Sequence, residues 1–302
     1  MRNTANAVLT ECGTSDDTCY VECTCSTGYN GNDCSLSSSD FSSALVLREQ
    51  LCTSLYATIK IQDSSEDAIA SRSTTLVALL KDTSQLTTYA ASNCTSALLE
   101  TIELGSFILA KGDLPKQITA ALSGVVGLNL SQELLNNVTI GVKVLTDSVQ
   151  GSIAVGEPQN NFNTKNARIG IALVDPKKMS SNSFKPPQTA SEIFNDKPSS
   201  SFGISESDSA DAMGVSVFQF NNNPGGGAVD STPIGIKLNT YSSDSVSRRL
   251  QATTSEITIV FPNIAPVLSY YTITEQVNLQ VRTYATSIFV YKIGYFVVIG
   301  QC

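Results

Sequence analysis

The chain has 302 residues, long enough for more than one compact unit, and 41% of them are hydrophobic, enough to fill buried cores. Its formal charge of −8 gives no basic field to draw phosphates, which argues against nucleic acid as a partner. Histidine and tryptophan are both absent, so histidine-based catalysis and imidazole metal sites are excluded, and sugar clefts built on indole rings lose weight.

Residues Met1 to Asn6 lack the apolar run of a signal peptide. Five of the eight cysteines then follow within 34 residues: Cys12, Cys19, Cys23, Cys25 and Cys34. The Cys23-Thr24-Cys25 step alone is a poor metal knuckle, because no second Cys/His pair stands at a suitable distance. The full run Cys23-Thr24-Cys25-Ser26-Thr27-Gly28-Tyr29-Asn30-Gly31-Asn32-Asp33-Cys34 resembles the C-x-C-x-x-G-Y-x-G-x-x-C ending of EGF-like modules. So short a segment cannot bury a core and needs disulfide staples, while Gly28 and Gly31 supply positive-φ turns. The resemblance implies the pairings Cys25–Cys34 and Cys12–Cys23. Cys19 is left without the partner that should precede Cys12, so the expectation is a chain that begins inside the module. The acidic signature of calcium-binding modules would also lie upstream, and Asp16-Asp17 reads as a solvated loop. A disulfide module places the protein outside the cell or on its surface.

Ser35–Ser39 reads as a linker, and helical spacing begins beyond it. Ala44, Leu47, Leu51 and Leu55 form one apolar stripe, with Cys52, Tyr56 and Ile59 beside it. Leu86, Ala90, Cys94, Ala97 and Thr101 repeat the spacing. Two cysteines on buried helical stripes of an extracellular protein predict a Cys52–Cys94 bridge. It closes a 42-residue interval, for about 4 kcal/mol on the chain-entropy estimate. Asp63-Ser64-Ser65-Glu66 and Asp82-x-x-Gln85 have the form of capping boxes. Pro115 suits the first turn of a helix over residues 118–126, and residues 131–149 predict another, broken or bent at Gly141.

Near Glu157-Pro158 the apolar period changes from about 3.6 to 2. Ile169/Ile171/Leu173, Ile234/Ile236/Leu238, Ile257/Ile259/Phe261 and Val277/Leu279/Val281 alternate with polar or small residues. Such alternation predicts antiparallel strands with one wet face, as in a β-sandwich. Loops are expected at Pro186-Pro187, Asn221–Gly227 and Ser242–Arg249. Ile288–Ile299 is too short for a membrane span and contains Lys292, so a buried strand is expected; a span, if the natural protein has one, would lie downstream.

This order predicts an α+β chain with a truncated EGF-like module over 1–35, a helical subdomain over 40–156 and an antiparallel β-sandwich over 160–302. The layout, with segments such as Asn182–Pro187 and Glu256–Pro262, resembles the GAIN region of adhesion receptors and polycystin-like surface proteins. That resemblance implies an adhesion or stalk role. The family's self-cleavage site needs Trp and a His-Leu-Ser/Thr tripeptide, so self-cleavage is not implied here.

Three sequons mark candidate N-glycosylation sites at Asn93, Asn129 and Asn137. Asn93 is one helix step from Cys94 and could face water, although a cysteine in the middle of a sequon lowers its use. The run Asn221–Gly227 lacks the Lys-Ser/Thr of a phosphate loop and reads as a connection. Arg248-Arg249 reads as two solvated charges rather than a processing site. No catalytic residue set, cofactor or metal site emerges, and the partners expected are proteins or cell surfaces. The function expected is that of a non-enzymatic extracellular interaction module. The alternatives are a cell-coat or appendage protein and, remotely, a hydrolase using a carboxylate pair.

Overall fold

The computed structural model describes residues 2–3, 19–20, 24–31, 33–128, 132–177, 183–188, 193–194, 201–204, 212–220, 234–241, 255–260, 270–273, 288–293 and 296–301. The fold class is α+β: a disulfide-bearing N-terminal segment, five α-helices among the described residues, then antiparallel sheets.

Two short strand pairs come first. β1 (Arg2–Asn3) pairs with β2 (Cys19–Tyr20), and β3 (Tyr29–Asn30) pairs with β4 (Leu36–Ser37). β4 runs directly into α1 (Ser38–Ile59), so Ser35–Ser39 is not a free linker. Serine is common in linkers, but it is also among the best N-caps. Ser37 takes that role, accepting the amide of Asp40, and the backbone amide of Ser38 donates to the carbonyl of Gly28 at 2.9 Å.

α2 (Glu66–Leu80) begins later than a capping box at Asp63 would set it. Ser65 is the N-cap, and Asp63 instead accepts the Ser65 amide within the preceding turn. Asp82 caps only a single 3₁₀ turn, Thr83–Gln85. α3 (Thr88–Leu104) has its own N-cap in Thr87, so Leu86 lies outside the helix that its spacing suggested. α4 (Leu114–Val126) carries Pro115 in its first turn, where a missing N–H costs nothing. α5 (Gln132–Gln150) passes through Gly141 as one unbroken helix. The glycine there serves packing: a Cβ would come within 2.9 Å of Leu99 and 3.3 Å of Ile102 on α3.

A closer approach joins α2 to α4. A Cβ on Gly124 would lie 2.5 Å from the carbonyl oxygen of Leu80 and 2.7 Å from its Cβ. Backbone cannot yield as a side-chain tip can. Overpacking costs about 1–3 kcal/mol, against which the helix-propensity gain over glycine is only about 1 kcal/mol. Gly124→Ala is therefore expected to lower stability by about 1–2 kcal/mol in chemical denaturation. An unchanged or raised midpoint would refute the contact.

The remaining strands are β5 (Asn160–Asn163), β6 (Ala167–Val174), β7 (Ser183–Phe184), β8 (Ser201–Ile204), β9 (Ala212–Phe220), β10 (Ile234–Tyr241), β11 (Ser255–Val260), β12 (Tyr270–Ile273), β13 (Ile288–Ile293) and β14 (Phe296–Gln301). They form a six-stranded sheet, β13-β14-β10-β9-β6-β5, and a four-stranded one, β12-β11-β8-β7. Every pairing among the described strands is antiparallel. Ile288–Ile299 is thus not one strand but most of a hairpin, with only Gly294 and Tyr295 between its arms. Residues 277–281 and the connections 221–227 and 242–249 lie outside the described residues.

The wet face expected of alternation does not hold for the middle of the six-stranded sheet. In the β6–β9 register Ala167 faces Phe220, Ile169 faces Phe218 and Ile171 faces Ser216. This face belongs to the same buried cluster as α3, α4 and α5, with Ile118, Leu122, Val142 and Leu145. Residues on the other face, including Ala172, Val174, Met213, Val215 and Val217, are buried as well. β9 escapes a period-two reading for this reason, since both of its faces carry apolar side chains. Gln150, at the end of α5, is buried and donates to Ser216 on β9 at 2.8 Å, satisfying a polar pair inside the junction.

Candidate functional site

The features that bear on function concentrate on α1 and α3. Contacts that link the two helices and their caps include Glu49 with Thr87, Thr53 with Asn93, Cys52 with Cys94, and Lys60 with Glu100. From Glu49–Thr87 at one end to Lys60–Glu100 at the other the sequence numbers rise along both helices, so α1 and α3 run parallel. Cys52 and Cys94 are bonded at a Cα separation of 4.8 Å and both are 0% exposed. Parallel helices come that close only over small side chains, and Ala90 and Ala97 flank Cys94 in full burial.

The second bridge, Cys25–Cys34, has a Cα separation of 5.2 Å. Gly28 and Gly31 within its loop have φ of +94° and +91°, a region that costs a Cβ-bearing residue strain. The loop is tied to the start of α1: Asn30 donates its amide to the Ser38 hydroxyl, and that hydroxyl donates to the Gly28 carbonyl. Asp33 accepts both the hydroxyl and the backbone amide of Ser35, which holds its carboxyl below the usual range. Cys12, Cys23 and Cys302 lie outside the described residues, and Cys19 sits in β2.

On α1 the apolar stripe expected to be buried divides. Cys52 and Ile59 are buried and Leu55 packs partly against the core, but Leu47 is 56% exposed and Leu51 44%. With Val46, Ser42, Ser43 and Gln50, Leu47 lines a shallow groove facing away from the core. Spacing finds both stripes of a helix equally well; which one turns inward depends on where α3 lies.

Among the described residues of the helical unit, Arg72 of α2 is the buried charged side chain. One Nη donates to the carbonyl of Asp63, whereas Nε and the other Nη have no hydrogen-bond partner among the described residues. Burial pushes its pKa down, with the charge of Asp63 working in the opposite direction. Among the described residues there is no group of three or more Cys, Asp or Glu that could hold a metal. No described helix is long and apolar enough to cross a membrane.

The sequons have unequal settings. Asn137 is exposed on α5, Asn93 is half-buried with its amide donated to Thr53 at 3.0 Å, and Asn129 lies outside the described residues.

No family model matches the chain, and no curated protein sequence matches it. Among solved structures it is similar to the full extracellular region of zebrafish Gpr126/Adgrg6, at 10% identity and a TM-score of 0.42. The alignment covers 78% of this chain and 34% of that one, so the chain spans about a third of that region's length. The similarity assigns it to no family.

Proposed function

We propose that this chain is a non-enzymatic extracellular interaction module and part of a larger adhesion or cell-surface protein. The observation that carries the reading is the pair of disulfides, one closing the N-terminal loop and one buried between α1 and α3. Bridges of this kind persist in oxidising compartments and are rare where glutathione keeps thiols reduced. The EGF-like run at Cys23–Cys34 and the helix-then-sheet order support the same reading. So does the bonding of the N-terminal loop to α1, which suits a stalk that must hold its modules at a fixed angle. The partners are proteins or the surfaces of other cells.

The test uses the source cells. A membrane-impermeant amine label should mark the protein on intact cells or in their medium, and added soluble chain should compete with cell attachment. Protection from the label until the cells are lysed would overturn the extracellular assignment. Unaltered attachment at saturating competitor would overturn the adhesive one.

Passage through a eukaryotic secretory pathway is expected to leave a glycan on Asn137 or Asn129. Intact mass before and after N-glycanase checks this, and identical masses would refute it. Exposed Asn137 can carry a glycan on the folded surface without displacing a helix.

A further inference from the structure

We propose that N-glycosylation of Asn93 and closure of the Cys52–Cys94 bridge are mutually exclusive on one molecule, so that Asn93 is modified only in chains whose α1 and α3 have not joined. The compartment in which this operates rests on the extracellular reading. The exclusion itself rests on geometry.

Glycan transfer moves an oligosaccharide from a lipid-linked diphosphate donor to the asparagine amide. The sugar C1–O bond to phosphate breaks, a C1–N bond to Nδ2 forms, and the amide gives up a proton as the lipid diphosphate leaves. The transferase therefore needs the amide, and the hydroxyl two residues on, on an accessible chain. The fold withholds both. The Asn93 amide is half-buried and donates to Thr53 of α1. Thr95 is 0% exposed, and its hydroxyl donates to the Ala91 carbonyl at 2.7 Å inside α3. The residue between them is Cys94 itself, bonded to Cys52.

The two reactions thus compete for one segment. Closing the bridge passes two electrons and two protons to a protein disulfide of the secretory pathway and fixes α3 against α1. The sequon is then helical and covered. Transfer in the other order puts a bulky, strongly hydrated group on the amide that faces Thr53, one residue from Cys94, and keeps α1 from the contact that brings the sulfurs together. Asn137 has no such conflict, because it lies exposed on α5.

The experiment expresses the chain behind a secretion signal in a eukaryotic host and maps glycans and free thiols on the same peptides, without reduction. Wild-type chain and Cys52→Ser are compared in total lysate as well as medium, so a variant that misfolds is still read. Cys94→Ser is avoided because it alters the sequon. The expected result is bridged wild-type chains with bare Asn93, and Cys52→Ser chains of which most carry a glycan there. Wild-type chains made in the presence of dithiothreitol should gain the same glycan. A glycan on Asn93 in molecules that hold the Cys52–Cys94 bridge would overturn the proposal. So would an empty Asn93 in Cys52→Ser. Neither result depends on where the native protein resides, which the surface label decides separately.

Discussion

Replacing Cys52 and Cys94 together with alanine is expected to lower stability by about 4 kcal/mol and the melting temperature by about 10 °C. The bridge spans 42 residues, and in the chain-entropy account its main effect is to restrict the unfolded chain. The folded side adds to the loss, since both sulfurs sit at 0% exposure beneath Ala90 and Ala97 and nothing refills their volume. The loss should appear in unfolding of the helices, because α1 has few other buried residues to hold it: Cys52 and Ile59 are its buried positions. Thermal denaturation followed by circular dichroism, with and without a reductant able to reach the bridge, checks this. Equal melting temperatures for wild type and the double variant would show that α1 is held by something else.

Phe218→Ala has an expected effect of similar size, about 3–5 kcal/mol. Phe218 is 1% exposed, lies 5.7 Å ring to ring from Phe220, and pairs across the sheet with Ile169. It belongs to the same cluster as Leu98, Ile118, Leu122 and Leu145 from three helices. Its removal therefore opens a hole between the helices and the sheet rather than within either. The helical signal and the near-ultraviolet tyrosine signal should fall at one shifted midpoint in denaturant. A helical transition left at its wild-type midpoint would mean that the two parts do not share a core.

Much of this architecture could be read from residues alone, for reasons that are local. Helix positions follow from the spacing of buried groups, and the shift of period near Pro158 marks where the backbone changes from helix to strand. Pro115 sits in the first turn of α4 because ring geometry permits it there. Gly28 and Gly31 adopt positive φ within a run whose spacing already called for tight turns. Cys52 and Cys94 could be assigned to one side of their helices by the same spacing.

The sequence did not determine which side of α1 would be covered. Leu47 and Leu51 form as good a stripe as Cys52 and Ile59, and only the position of α3 decides that the latter turns inward. Gly141 reads as a break by intrinsic propensity, yet α5 passes through it because Leu99 and Ile102 fill the space a side chain would take. Ser35–Ser39 has the composition of a spacer, and becomes strand and cap because the Gly28 carbonyl lies within reach. β9 is invisible to a period-two rule because helices cover one face and the other is buried too. In one dimension Asn93 differed from Asn137 only by the cysteine in its sequon, and it was expected to be able to face water. Thr53, forty residues away, is what separates them. In each case the local pattern was compatible with more than one arrangement, and long-range packing, which a linear pattern does not encode, selected between them.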